Sequence, residues 1–146
     1  MLAQLHRHSI ITLNFNVNIF VGLWIGLPGC SEELDSLVKT YFRSDKSTRN
    51  DLLAQAEALA EKEDYTSKES AKMYAKYMSK IAEKKSDGFV DEEAGRVEKL
   101  LQGKLSDQKL EQLRTRSNIL TSFKAHKEKA KQDGSYVDAF AGSGEL

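Results

Sequence analysis

Ser106-Asp107-Gln108-Lys109-Leu110-Glu111-Gln112-Leu113-Arg114-Thr115-Arg116-Ser117-Asn118-Ile119-Leu120-Thr121-Ser122-Phe123 is the stretch that decides the fold. Ser106 reads as a helix N-cap, because its side-chain oxygen can accept from an N–H that the first helical turn leaves without a partner. Leu110, Leu113, Leu120 and Phe123 follow in helical phase, with Ile119 beside them. Together they form an apolar stripe wide enough to close a bundle. The rest of the chain must supply the faces that this stripe covers.

Moving toward the N-terminus, four more amphipathic segments appear. Asp91 can cap a helix whose face is Ala94, Val97, Leu100 and Leu101, stopped by Gly103. Thr66-Ser67-Lys68-Glu69 is a capping box, in which Thr accepts from the backbone and Glu reaches back, and it opens a helix with the stripe Met73, Tyr74, Tyr77, Met78 and Ile81. A helix from about Thr48 to Lys62 carries Leu52, Leu53, Ala56, Leu59 and Ala60. Ser31, followed by Glu32 and Glu33, caps a first helix that presents Leu34, Leu37, Val38, Tyr41 and Phe42. The spacing therefore predicts an all-α, compact five-helix bundle over residues 31–127. Residues 128–146 have no periodicity and predict a flexible tail, anchored only by Tyr136, Val137 and Phe140.

A chain of 146 residues suits one domain. Its 22 Lys or Arg and 22 Asp or Glu cancel. That balance disfavours nucleic acid as a partner, since phosphate binding draws on an excess of basic residues. The charges are unevenly placed, however: only Arg7 precedes Glu32. Residues 1–30 form an irregular apolar leader, in which Leu13, Phe15, Val17 and Ile19 alternate with three Asn residues as in a half-buried strand. The apolar run Ile19 to Leu27 is too short to span a bilayer as a helix, which takes about 20 residues. Two readings of this leader stay open. It is a signal peptide of unusual composition, ending near Pro28-Gly29-Cys30, or the remnant of a preceding domain.

Chemistry-bearing motifs are scarce. Cys30 is the one cysteine, so the chain has no Cys-x-x-Cys pair and cannot run a dithiol cycle alone. His6 and His8 lack a third ligand at metal-site spacing, and His126 lies far away in sequence, so no metal is assigned. No glycine pattern cradles a nucleotide, and no cofactor or catalytic residue is assigned. Lys68, Lys72, Lys76 and Lys80 recur every four residues and form a basic stripe. It is either an ordinary solvated face or a surface for partner contact.

Arg116 to Phe123, with Asn118, Ile119, Leu120, Thr121 and Phe123 as its most specific part, resembles the closing helix of the D-domain. This is the all-helical C-terminal domain of protein-disulfide-isomerase-related endoplasmic-reticulum proteins, among them Windbeutel-type escort chaperones and the isomerases that end in it. Leu34 to Val38 resembles the opening helix, and Tyr74, Tyr77, Lys80, Ile81, Glu83 and Lys84 resemble the central one. Phe89, Glu93, Arg96, Leu100 and Leu101 follow at similar spacings. The resemblance implies a non-catalytic module of the endoplasmic reticulum lumen that assists protein folding or cargo escort. Its partners would be unfolded or secretory clients and a thioredoxin-fold domain. A C-terminal part of a longer disulfide isomerase, and a structural adaptor that self-associates as a homo-oligomer, are the alternatives. Ser143-Gly144-Glu145-Leu146 shares only its last two residues with the Lys-Asp-Glu-Leu retrieval signal.

Overall fold

The computed structural model describes residues 26–62 and 68–141. These form five helices and, among the described residues, no strand: α1 Glu32–Tyr41, α2 Lys46–Glu61, α3 Lys68–Lys84, α4 Phe89–Leu101 and α5 Asp107–Gln132. The alternation at 13–19, most of the leader, the Thr66-Ser67 half of the capping box and the last four residues lie outside the described residues.

Local chemistry explains where the helices begin. The Ser31 hydroxyl accepts from the Leu34 N–H at 3.4 Å, with Glu32, Glu33 and Asp35 set at the positive end of the α1 dipole. The Ser106 hydroxyl accepts from the Lys109 N–H at 3.3 Å and opens α5. Two starts differ from the sequence reading. The second helix begins at Lys46 because Asp45 accepts from the Thr48 N–H at 2.9 Å, and that bond holds the carboxyl below its usual range. The fourth begins at Phe89 behind Gly88, so Asp91 lies inside the first turn and pairs with a lysine of α5 instead of capping. Leu100, expected on the buried face of α4, is 40% exposed.

Helix α2 packs mainly on α3, and α4 on α5, while α1 touches both α2 and α5 and joins the two pairs. Phe123 sits at their centre, fully buried. Its ring meets Phe42 at 6.3 Å and Tyr77 at 5.9 Å, both edge-to-face, and Tyr74 at 5.6 Å. Each such pair adds about 0.5–1.5 kcal/mol beyond the area it buries. Leu34, Val38, Met78, Ile81, Ile119 and Leu120 fill the space around them.

The largest departure is at the C-terminal end. The flexible tail expected from Glu128 is helix as far as Gln132, with Ala130 fully buried. Gly134, at φ 77°, then reverses the chain in a left-handed conformation that favours glycine. The N–H groups of Ser135 and Tyr136 both donate to the Ala130 carbonyl at 3.0 Å, and the Val137 N–H donates to the Phe42 carbonyl at 3.0 Å. Residues 133–141 thus return as a strap across the end of α1. Periodicity does not register this segment because an irregular strap that ends in a turn has no helical phase.

Candidate functional site

Two clusters of buried polar groups are embedded in the apolar core. In the first, Arg49 of α2 spans the bundle end, 2% exposed. Its Nη1 and Nη2 donate to the two carboxylate oxygens of Asp87 at 2.6 and 3.1 Å, a bidentate geometry that lysine cannot make. Its Nε donates to the Ser44 carbonyl at 3.1 Å, and Nη2 also reaches the Val137 carbonyl at 2.8 Å. The guanidinium lies over the rings of Tyr41 at 4.6 Å and of Phe42 and Phe140 at 5.6 Å. Burial opposes its charge, but the Asp87 partner outweighs that and raises the guanidinium pKa. Tyr136 donates its hydroxyl to the same carboxylate; burial and that negative charge push the phenol up. Lys127 of α5 completes the cluster, donating to Asp91 at 2.7 Å and reaching the Asp87 carbonyl at 3.4 Å. The Lys127 bond, opposed by partial burial, pulls the Asp91 carboxyl down.

The second cluster lies between α1, α3 and α5. Asp35 Oδ1 accepts from the hydroxyls of Tyr74 at 2.5 Å and Ser122 at 2.6 Å. The Cys30 thiol adjoins the Tyr74 hydroxyl; burial, and then the Asp35 charge, push it up to about 11 against the lowering effect of the tyrosine. His126, buried nearby, has no hydrogen-bond partner for Nδ1. Burial lowers its pKa to about 4; Asp35 opposes that shift, while Arg43 and Lys39 add to it.

The chain approaches α1 along a tight path over α5. Asn118 donates its amide to the Pro28 carbonyl at 2.9 Å, and the Cys30 N–H donates to the Leu27 carbonyl at 2.9 Å. Gly29 has φ 92°, and a Cβ there would stand 2.4 Å from Thr115 Cγ2. Within the distinctive stretch, then, Asn118 fastens the approach segment, while Ile119, Leu120 and Phe123 are core and the Thr121 hydroxyl bonds back to the Ser117 carbonyl at 2.9 Å.

The lysine stripe is on the outer side of α3. Lys72 and Lys76 are exposed and Lys68 and Lys80 partly so. Lys72 pairs with Glu69 at 3.4 Å and Lys80 with Glu83 at 3.1 Å, so the face mixes signs. The structure does not bring this face together with either buried cluster. Among the described residues, no group of His, Cys, Asp and Glu could hold a metal, and no helix is long and apolar enough to cross a membrane.

The buried clusters escaped the sequence reading, although a signal was present. Arg49 precedes Leu52 by three residues, Asp35 precedes Val38 by three, and His126 follows Phe123 by three. Each is a polar residue in phase with an apolar stripe, a position that turns it inward, where an unpaired polar group is costly.

Comparison with known proteins agrees with this architecture. The family model of the C-terminal domain of endoplasmic reticulum protein ERp29 matches residues 29–123. Protein windbeutel of Drosophila melanogaster is 34% identical over 130 residues, which cover 86% of this chain and 50% of that protein. Protein disulfide-isomerase 1 of Dictyostelium discoideum is 31% identical over 97 residues, 66% of this chain and 26% of the relative. Probable protein disulfide-isomerase A6 of Medicago sativa is 30% identical over 95 residues, with coverage of 65% and 26%. The chain therefore spans half or less of the length of these relatives. No solved structure matches it.

Proposed function

The chain belongs to the family of the C-terminal domain of endoplasmic reticulum protein ERp29, and from that premise we propose that it is a non-catalytic helical module of the endoplasmic reticulum lumen that assists folding or escort of secretory proteins. The observation that carries this reading is the span of the family match, which takes in α1 to α4 and most of α5. The chemistry of the chain is consistent with it. A thiol at about 11 is almost wholly protonated at neutral pH, and the thiolate is the species that attacks a disulfide. Cys30 is thus a poor starting point for isomerase chemistry, and it has no second cysteine to resolve a mixed disulfide.

The partners in this reading are unfolded or secretory clients and a thioredoxin-fold domain. The α3 face bearing Lys68, Lys72, Lys76 and Lys80 is one contact surface for them. A reduced, aggregating client mixed with the folded chain tests the proposal. Light scattering should rise more slowly in proportion to the chain added, and an unchanged time course would remove the chaperone role.

A second reading has its own support. The chain covers 26% of each of the two disulfide-isomerase relatives, which fits a C-terminal portion of a longer enzyme. Peptide mapping of the protein from its native host separates the two. A species longer than this chain with a Cys-x-x-Cys pair in the added part supports the longer enzyme, and a species without such a pair opposes it.

A further inference from the structure

We propose that residues 133–141 are a displaceable cover, and that beneath them Tyr41, Phe42, Arg49 and Asp87 form a receptor for a short peptide segment bearing aromatic and aliphatic side chains. The identification of that peptide as part of an unfolded client rests on the function proposed above; the receptor itself rests on geometry.

The strap is held as a peptide ligand is held. Val137 exchanges both of its backbone groups with the bundle: its N–H donates to the Phe42 carbonyl at 3.0 Å, and its carbonyl accepts from Arg49 at 2.8 Å. Backbone contacts of this kind hold a segment whatever its sequence, and the flanking side chains supply preference. Here those are Tyr136, whose hydroxyl meets Asp87, and Phe140, whose ring lies against Arg49. Tyr136, Val137 and Phe140 are only half-buried, whereas Phe42, Tyr41 and Arg49 beneath them are buried.

Much of the receptor is fixed from within the bundle. Arg49 is fixed by the Asp87 carboxylate and the Ser44 carbonyl, and the Tyr41 hydroxyl by the Met78 carbonyl at 3.3 Å. The cover joins the bundle through one reversal at Gly134, and it lies beyond residues 29–123, the span of the family match. All four receptor residues lie within that span. A tethered segment competes with a free ligand at an effective concentration of about millimolar order, so the closed strap weakens outside binding by the fraction of time it is shut.

The test uses a fluorescein-labelled peptide, Asp-Gly-Ser-Tyr-Val-Asp-Ala-Phe-Ala, which copies the strap. It is titrated with the full chain and with full-chain variants Val137→Pro and Phe140→Ala, which loosen the cover and leave the receptor intact. Fluorescence anisotropy should give an apparent Kd about tenfold tighter for the variants than for the unaltered chain, and a peptide with Pro in place of Val should not bind. Folded variants that bind no more tightly than the unaltered chain would overturn the proposal. If both variants unfold, amide exchange in the unaltered chain decides. The Val137 amide should exchange at least tenfold faster than those of Ile119, Leu120 and Phe123, and exchange in step with them would show a core element and not a cover. No client is present in these measurements. Their failure therefore leaves the chaperone reading standing on another surface, and failure of aggregation suppression leaves the receptor standing.

Discussion

The two buried polar clusters solve the same problem in opposite ways. Around Asp35 of α1 one carboxylate accepts from neutral hydroxyls of Tyr74 on α3 and Ser122 on α5. Around Arg49 a full charge is met by a full charge, and one wall of the site is the strap. Removing a hydroxyl partner takes away one bond. Removing a charged partner strands an ion out of water, which costs far more. Loss of one hydroxyl leaves Asp35 its other partner, whereas loss of Asp87 leaves Arg49 without its counter-charge.

Asp87→Ala puts this contrast to its hardest test. It leaves Arg49 buried without its carboxylate and should cost about 3–5 kcal/mol in urea or thermal denaturation. The double replacement Arg49→Met with Asp87→Leu should recover most of that loss, because an apolar pair of similar volume has no desolvation cost. A loss below about 1 kcal/mol for Asp87→Ala alone would erase the distinction between the clusters.

Acid sharpens the comparison from the other side. His126 has a folded pKa of about 4 against an ordinary value of 6.5, so the folded state holds it neutral. Its contribution is complete above pH 6.5 and is lost progressively as the pH falls from 6.5 to about 4, because over that window the unfolded chain binds the proton and the folded chain does not. The full loss is on the order of 3 kcal/mol. The Asp35 charge opposes this shift, and the charges of Arg43 and Lys39 reinforce it. Denaturation midpoints measured across this window should fall with pH in the unaltered chain and fall less in His126→Gln.

Smaller effects belong to the edges of the two regions. Gly29→Ala combines a left-handed backbone with a clash against Thr115 and should cost about 1–3 kcal/mol by thermal denaturation, in part restored by Thr115→Ser. Replacing Lys72 or Lys80 with Ala breaks an exposed pair and should change stability by less than about 1 kcal/mol. If the α3 face contacts partners, the same changes should instead reduce client protection, which separates a binding role from a structural one.

The five helices were legible because capping residues and apolar stripes are local signals. Ser31 and Ser106 cap where the spacing placed them, and Phe123, Tyr74 and Ile81 are core. What escaped depended on contacts distant in sequence. Arg49 and Asp87 are 38 residues apart, and Arg49 and Val137 are 88 apart, so neither pairing leaves a local pattern. Asp87-Gly88 was legible as a break between helices, but a break says nothing of the charge it is about to neutralise. The strap left no local pattern for the same reason: its contacts come from the end of α1, more than 90 residues earlier in the sequence.

Helix α5 moors the chain at two points, holding Pro28 through Asn118 and Tyr136 through the Ala130 carbonyl. With a rise of about 1.5 Å per residue, those moorings stand roughly 18 Å apart along a single rod. The helix is thereby a ruler for the molecule. Labels placed beside the Pro28 and Tyr136 moorings would report movement of either segment against a constant baseline.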